Sequence, residues 1–292
     1  LLEELLGLDE LTLRRHSTKL ELLRYKPERR AVLLLRTVQR EGELEKHFLL
    51  RVHPPAVAAA AARSRASCTG LVERGLGPRL LGCEERTGTL VEERLEGEAP
   101  APDRFEHAEQ MGSLLARLHA LPCPTPGPKP GATPEPAAPQ AGEEVAAWFQ
   151  FAPELQRSAS GLSDLTSRTR TTWIHGDVHP DQVLIDGQGT ARLIDLDGLA
   201  LGDPQVDLAS WIGDHLAQAP DVGFEDAAAP LLSGYREAGG RPGETASLVL
   251  LVAHQLALRA AASLRRLEIG APDRAHSLLA RARALHAESE TL

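Results

Sequence analysis

The stretch Trp173-Ile-His-Gly-Asp-Val-His-Pro-Asp-Gln-Val-Leu-Ile-Asp186, continued by Gly187-Gln-Gly-Thr-Ala-Arg-Leu-Ile-Asp195, contains two short apolar runs, Val183 to Ile185 and Ala191 to Ile194. Asp186-Gly187 opens the turn between them, so the pair reads as a hairpin. A hairpin returns the chain to its starting point. Asp195 at its end should therefore lie near Gln182 at its start, with Asp177 on the loop just before. Three oxygen-bearing side chains then converge on one edge of a small sheet. Carboxylate and amide oxygens suit a hard cation such as Mg²⁺, which usually takes substrate phosphates as well. Phosphoryl transfer uses such a site: metal to neutralise the phosphates, and a carboxylate to accept or orient the attacking hydroxyl.

The order and spacing of these residues carry a resemblance. His175-Gly-Asp177 followed by Gln182 resembles the H-G-D-x-x-x-x-N catalytic loop of the aminoglycoside phosphotransferase and choline kinase group. Ile194-Asp195-Leu-Asp197 resembles that group's metal-binding segment, and Leu201-Gly-Asp-Pro204 with Asp207-Leu-Ala209 resembles the stretch that follows it. The resemblance implies an α+β, protein-kinase-like bilobal fold with a small strand-rich N-lobe and a larger, mostly helical C-lobe. It implies ATP or GTP as phosphoryl donor, Mg²⁺ as cofactor and a small-molecule hydroxyl acceptor. Asp177 would be the catalytic base or hydroxyl-orienting carboxylate, Asp195 the main Mg²⁺ ligand and Gln182 the second metal position. His175 would brace the loop, and Asp207 would hold the loop to the helix that follows. Asp197 would be either a second metal contact or a structural hydrogen-bond partner. His179 would be a loop brace or a substrate neighbour.

Some positions depart from the family pattern. Gln182 stands where the group usually has Asn, and its extra methylene moves the amide oxygen by about 1.5 Å at most. The maltokinase-like members look as if they share this Gln. In Phe48-Leu-Leu-Arg-Val52, Arg51 stands in the place of the Lys that holds the α- and β-phosphates. Arg far outnumbers Lys along the chain, so that exchange is credible, although Arg is a planar fork and Lys a point donor. The other reading of Arg51 is an exposed strand residue. Glu73 is the sole acid between Ala56 and Arg74 that could partner it from the helix, and it could equally be a solvated charge. Thr89 to Gly97 looks like the hinge between lobes, where adenine would meet backbone groups. Glu92, Glu93 and Arg94 are the candidates there.

Upstream, Lys19 to Tyr25, Ala31 to Thr37, Phe48 to Val52, Pro78 to Gly82 and Thr89 to Val91 read as strands, with an Ala-rich helix from Ala56 to Arg74. Asp103 to Ala120 reads as an amphipathic helix with Phe105, Ala108, Met111, Leu115 and Leu118 on one stripe. Pro122 to Glu143 is Pro-, Gly- and Ala-rich and reads as an exposed insertion, with helix resuming after Trp148. Downstream, helices are expected over Leu208 to Ala217, Ala227 to Ala238, Glu244 to Leu267 and Pro272 to Glu288. The lobe boundary is placed after Gly97, giving residues 1–97 for nucleotide binding and 98–292 for catalysis and acceptor binding.

The 292-residue chain has a net charge of -9, which argues against nucleic acid as a partner. Acids on the C-terminal helices, such as Asp214, Glu225, Asp226 and Glu268, could receive a cationic acceptor or simply face solvent. Cys68, Cys83 and Cys123 show no zinc or disulfide spacing, and Leu1 to Leu8 lacks a basic leader, so a cytoplasmic setting is expected. The most apolar run, Ala246 to Leu258, is too short and polar to suggest a membrane span. Oligomeric state is not readable. A catalytically impaired pseudokinase, binding nucleotide or a partner without transfer, is the alternative that Arg51 and Gln182 raise. The presence of both Asp177 and Asp195 favours the enzyme.

Overall fold

The computed structural model describes residues 18–27, 29–38, 45–100, 107–123, 171–265 and 269–291. Strands β1 (Thr18–Lys26), β2 (Arg30–Val38), β3 (Glu45–Val52), β4 (Leu80–Glu84) and β5 (Thr89–Glu93) form one antiparallel sheet in the order β1-β2-β3-β5-β4. Side chains alternate across such a sheet, which gives it two faces. Leu35, Phe48, Leu50 and Val91 pack together on one. Leu90 packs with Ala58 and Ala61 of helix α1 (Pro55–Ser67) on the other. Arg51 registers directly with Leu90, so it lies on the helix-covered face.

Helix α1 is shorter than the Ala-rich run suggests. Cys68 caps it, and Gly70 takes φ 87, a left-handed conformation that stops helical propagation. The segment beyond it returns to the hairpin: Leu193 N–H donates to Leu76 O at 2.8 Å.

The second part of the fold holds helix α2 (Ala108–His119) and four short strands, β6 (Thr172–Ile174), β7 (Val183–Ile185), β8 (Ala191–Leu193) and β9 (Ala200–Gly202). Helices α3 (Gln205–Gln218), α4 (Phe224–Glu237), α5 (Thr245–Arg265) and α6 (Ala271–Ser289) follow. The β7–β8 pair is the hairpin expected from sequence, and β6 pairs with β9. Helices α2 and α4 cross backbone to backbone. A Cβ on Gly112 would collide with Leu231 O, and one on Gly234 with Glu109 O. This approach sets His119 against Tyr235.

Helix α5 outruns the apolar stretch identified in the sequence. Thr245–Ser263 is long and apolar enough to cross a membrane by length and composition. Its Leu248, Val249, Val252, Leu256 and Ala260 are nevertheless buried in the same core as α3 and α6, so it packs as a core helix. The Pro-rich stretch beyond Cys123, the helix expected after Trp148, the capping residue Asp103, Glu268 and Leu1 to Leu8 lie outside the described residues.

Candidate active site

The hairpin does what the sequence demands of it. Ile194 N–H donates to Gln182 O at 2.9 Å, closing the hairpin at its base. The Gln182 amide donates to Asp195 Oδ2 at 3.2 Å and lies 3.1 Å from His179 Nε2. Asp195 has φ 58 and ψ 49, the single non-glycine at positive φ among the described residues. Such a conformation costs about 1–2 kcal/mol for most L-residues, less for Asp, and persists only where surroundings impose it. Here they do. His175 Nε2–H donates to Ile194 O at 2.8 Å, and a 3₁₀ turn over Leu196–Gly198 follows immediately.

The loop from β6 carries Asp177, whose side chain is 76% exposed and lies 3.9 Å from His179 Nε2. His179 thus stands between Asp177 and Gln182, a position that suits either of its two readings. Gly176 has φ 88, and a Cβ there would press on Gly198 O at 3.2 Å, so the two loops pack with little room to spare. Asp207, fully buried at the start of α3, accepts the His175 and Gly176 backbone N–H groups, each at 2.8 Å. It also meets His119 Nε2 at 3.0 Å, while His119 Nδ1 lies 2.8 Å from Tyr235 Oη. Burial opposes ionisation of Asp207, but its bond with His119 and the loop N–H groups outweigh burial and hold its carboxyl below the usual range. The expected brace roles of His175 and Asp207 both match this geometry.

Across the cleft, Arg51 is 4% exposed, which excludes the exposed-strand reading. Its Nε donates to Glu92 Oε1 at 2.5 Å, and one terminal nitrogen reaches Asp195 Oδ1 at 2.8 Å and Asp197 Oδ2 at 3.3 Å. The carboxylate partner of Arg51 is Glu92 on β5, while Glu73 is exposed in the turn after α1. Helix α1 supplies a base instead: Arg65 donates to Glu92 Oε2 at 3.1 Å and to Pro78 O. Asp197 is also met by His53 Nε2 at 3.1 Å. Burial opposes its ionisation, yet His53 and the Arg51 charge prevail and hold the carboxyl well below the ordinary range. Asp197 is thus held by His53, Arg51 and Arg30 beside Asp195, an arrangement that leaves both of its readings in place.

Arg30, at the first position of β2, was not foreseen. Its guanidinium lies on both Asp195 oxygens in a bidentate pair and meets Asp197 Oδ2 at 3.1 Å. Arg65, His53 and His119 also escaped the sequence reading. An acid in the interior strand β5, two residues from the register partner of Arg51, was the one signal available.

Glu92 is buried and its side chain is committed to Arg51 and Arg65. Glu93 N–H is already bonded to Arg79 O at 3.0 Å. The extended backbone after β5 begins at Arg94, whose side chain meets His47 Nδ1 at 3.0 Å, and ends where Glu98 bridges to Ile185. Among the acids suggested for a cationic acceptor, Asp214 is held by Arg259 at 3.1 Å, and Glu225 and Asp226 are exposed in the first turn of α4.

Among the described residues no group of three or more His, Cys, Asp or Glu is gathered as a metal cage. The donor set is one aimed carboxylate, a second carboxylate two residues on, and an amide. That set fits Mg²⁺, which leaves much of its shell to phosphate and water. Asp195 and Asp197 are both paired with guanidinium groups in this structure.

A strand sheet with one covering helix, followed by a mostly helical half, is the arrangement of the protein-kinase-like fold. Residues 33–248 match the phosphotransferase enzyme family, and the chain belongs to that family. Its fold is similar to that of choline kinase LicA from Streptococcus pneumoniae, at TM-score 0.64 and 16% identity over 98% of this chain and 97% of that one. It is also similar to macrolide 2'-phosphotransferase MphH from Brachybacterium faecium, at TM-score 0.59 and 20% identity over 95% and 98% of the two chains. Amicoumacin kinase hAmiN, solved with AMP-PNP, Ca²⁺ and Ami, gives TM-score 0.66 and 12% identity over 94% and 90%. No curated protein sequence matches the chain.

Proposed function

We propose that this chain is an active, Mg²⁺-dependent small-molecule kinase, moving the γ-phosphoryl of ATP or GTP to a hydroxyl of an amino alcohol, aminoglycoside or sugar. The observation that carries the reading is the left-handed Asp195, aimed at Gln182 and facing Arg51 across the cleft. A strained backbone at a metal-type carboxylate is the kind of cost that a fold retains at a functional site.

Residues 1–97 would hold the nucleotide and 98–292 would carry catalysis. Arg51, fixed by Glu92, directs one arm of its fork into the cleft, where α- and β-phosphates would lie. Arg94 to Gly97 would offer backbone groups to adenine. Asp195 and Gln182 would hold Mg²⁺, which when bound neutralises the phosphates. Gln182 would first turn its amide so that Oε1 faces the ion. Asp177, exposed at the loop tip, would orient the acceptor hydroxyl and take its proton. The relatives named for choline, macrolide and amicoumacin kinases support a small hydroxylated acceptor of this kind.

The test is thermal unfolding with ATP, GTP and ADP, with and without Mg²⁺, followed by nucleotide consumption against a panel of acceptors. A Mg²⁺-dependent shift and acceptor-dependent consumption abolished by Asp177→Asn are expected. Binding without consumption for any acceptor would favour the pseudokinase alternative. No shift with any nucleotide would overturn the nucleotide reading.

A further inference from the structure

The Asp195 carboxylate is saturated by protein donors. Both oxygens face Arg30, Oδ1 also takes Arg51 at 2.8 Å, and Oδ2 takes the Gln182 amide at 3.2 Å. A divalent ion needs one of those oxygens and is repelled by a guanidinium a few ångströms away. One Arg must therefore yield. Arg51 is not suited to do so, because Glu92 holds its other edge and the residue is 4% exposed. Arg30 is suited. Its side chain is 14% exposed, and its ion pairs among the described residues are with Asp195 and Asp197. It stands just after the turn that joins β1 to β2, at the rim of the sheet, so a rotamer change can carry its fork away without moving the core.

Metal and phosphate would arrive together at this place. A phosphate bridged to a metal on Asp195 lies within reach of a guanidinium just displaced from that carboxylate, and phosphate suits the Arg fork as well as carboxylate does. We propose that Arg30 is a phosphate-binding residue. Its guanidinium stands on Asp195 where a metal's charge would stand, and it transfers to the terminal phosphates of the nucleotide when metal and nucleotide bind. This inference rests on the kinase reading above. A purely structural Arg30–Asp195 pair makes the opposite claim, that Arg30 stays in place and contributes only to folding.

The test uses the full chain as wild type, Arg30→Gln and Arg30→Lys. Mn²⁺ binding is read by electron paramagnetic resonance without nucleotide. AMP-PNP and AMP binding are read by calorimetry at saturating Mg²⁺. In Arg30→Gln, Mn²⁺ alone should bind about tenfold tighter, because a competing cation is gone. AMP-PNP should bind about tenfold more weakly, because a charge-assisted contact is lost, while AMP, which lacks the outer phosphates, should be unchanged. Arg30→Lys, retaining charge without the fork, should fall between. Mn²⁺ and AMP-PNP affinities both unchanged in Arg30→Gln would overturn the inference and leave the kinase reading standing. A wild-type chain that takes up neither Mn²⁺ nor AMP-PNP would sink the kinase reading and this inference with it.

Discussion

Arg51 and Glu92 meet as diagonal neighbours on adjacent strands, Nε to Oε1 at 2.5 Å, with Arg65 of helix α1 closing the other side of the same carboxylate. The basic residue that faces the cleft is therefore fixed by a strand acid, and the helix supplies a second base. A single buried carboxylate serves two buried guanidinium groups; its removal leaves Arg65 with no acid partner among the described residues and leaves Arg51 only the cleft carboxylates Asp195 and Asp197.

Glu92→Gln should accordingly destabilise the fold by about 3–5 kcal/mol, the range for breaking a buried ion pair from one side. Urea unfolding measures this directly. Arg51→Lys should cost less in stability but should raise the apparent KM for nucleotide, because an ammonium cannot span Glu92 and Asp195 at once. A Glu92→Gln midpoint equal to wild type would show that the triad is not a unit.

The backbone at Asp195 reverses a familiar ranking. Gly is usually the more costly residue because of its freedom in the unfolded chain, but at φ 58 Ala carries the greater strain. Asp195→Gly and Asp195→Ala both remove the carboxylate, so their difference reports the backbone alone. Asp195→Gly should be the more stable of the two by about 1 kcal/mol. Chemical denaturation of the pair decides it, and the reverse order would mean the loop relaxes.

Asp207 links stability to acidity. Its carboxyl is held below the unfolded value of 3.8. The stability it contributes is therefore fully present above the ordinary carboxylate range, and it is lost as pH falls below about 4 toward the folded value. Asp207→Asn should lower the unfolding midpoint at neutral pH and flatten its decline in acid. It should also lower kcat more than it raises KM for nucleotide, because it frees the His175-Gly176 backbone rather than the phosphate side.

The three cysteines should differ in reactivity. Burial pushes the Cys68 thiol up to about 12, and Cys83 is raised as well, whereas Cys123 is exposed. Iodoacetamide at pH 8 should label Cys123 first and leave Cys68 untouched until the protein unfolds. Peptide mapping reads the result.

Close packing at Gly112 makes one further position decisive. Gly112→Ala must push α2 away from the Leu231 carbonyl and so disturb the His119–Tyr235 contact, 2.8 Å across the same crossing. A loss of several degrees in Tm is expected, with a partial loss of activity, because His119 also meets Asp207, which holds the His175-Gly176 loop.

The hairpin could be read from sequence because its signal is local. Val183 to Ile185, Asp186-Gly187 and Ala191 to Ile194 lie within a dozen residues and fix the meeting of Gln182 with Asp195. The strand and helix order was readable for the same reason, as each element carries its own period and breakers. Arg30 was not readable. It is one Arg among many, beside a turn, and its partner lies 165 residues away. The side-chain role of Glu92 was not readable, because nothing local says that it faces α1. Arg65 was hidden by an Ala-rich helix whose pattern favours no face; the buried set Ala58, Ala61 and Arg65 becomes evident only when the sheet is beside it. Pairings that depend on register between distant segments do not leave a spacing to count.

The ionic seam between Arg30, Arg51 and His53 on one side and Asp195 and Asp197 on the other has a practical consequence for handling the protein. Its contacts compete with dissolved ions, and screening acts over about 8 Å at physiological ionic strength. Sulfate or phosphate buffers offer the guanidinium groups a substitute partner, and divalent salts offer one to the carboxylates. Ligand affinities measured at this seam should therefore vary with the buffer anion, and values compared across laboratories need matched anions before they can be ranked.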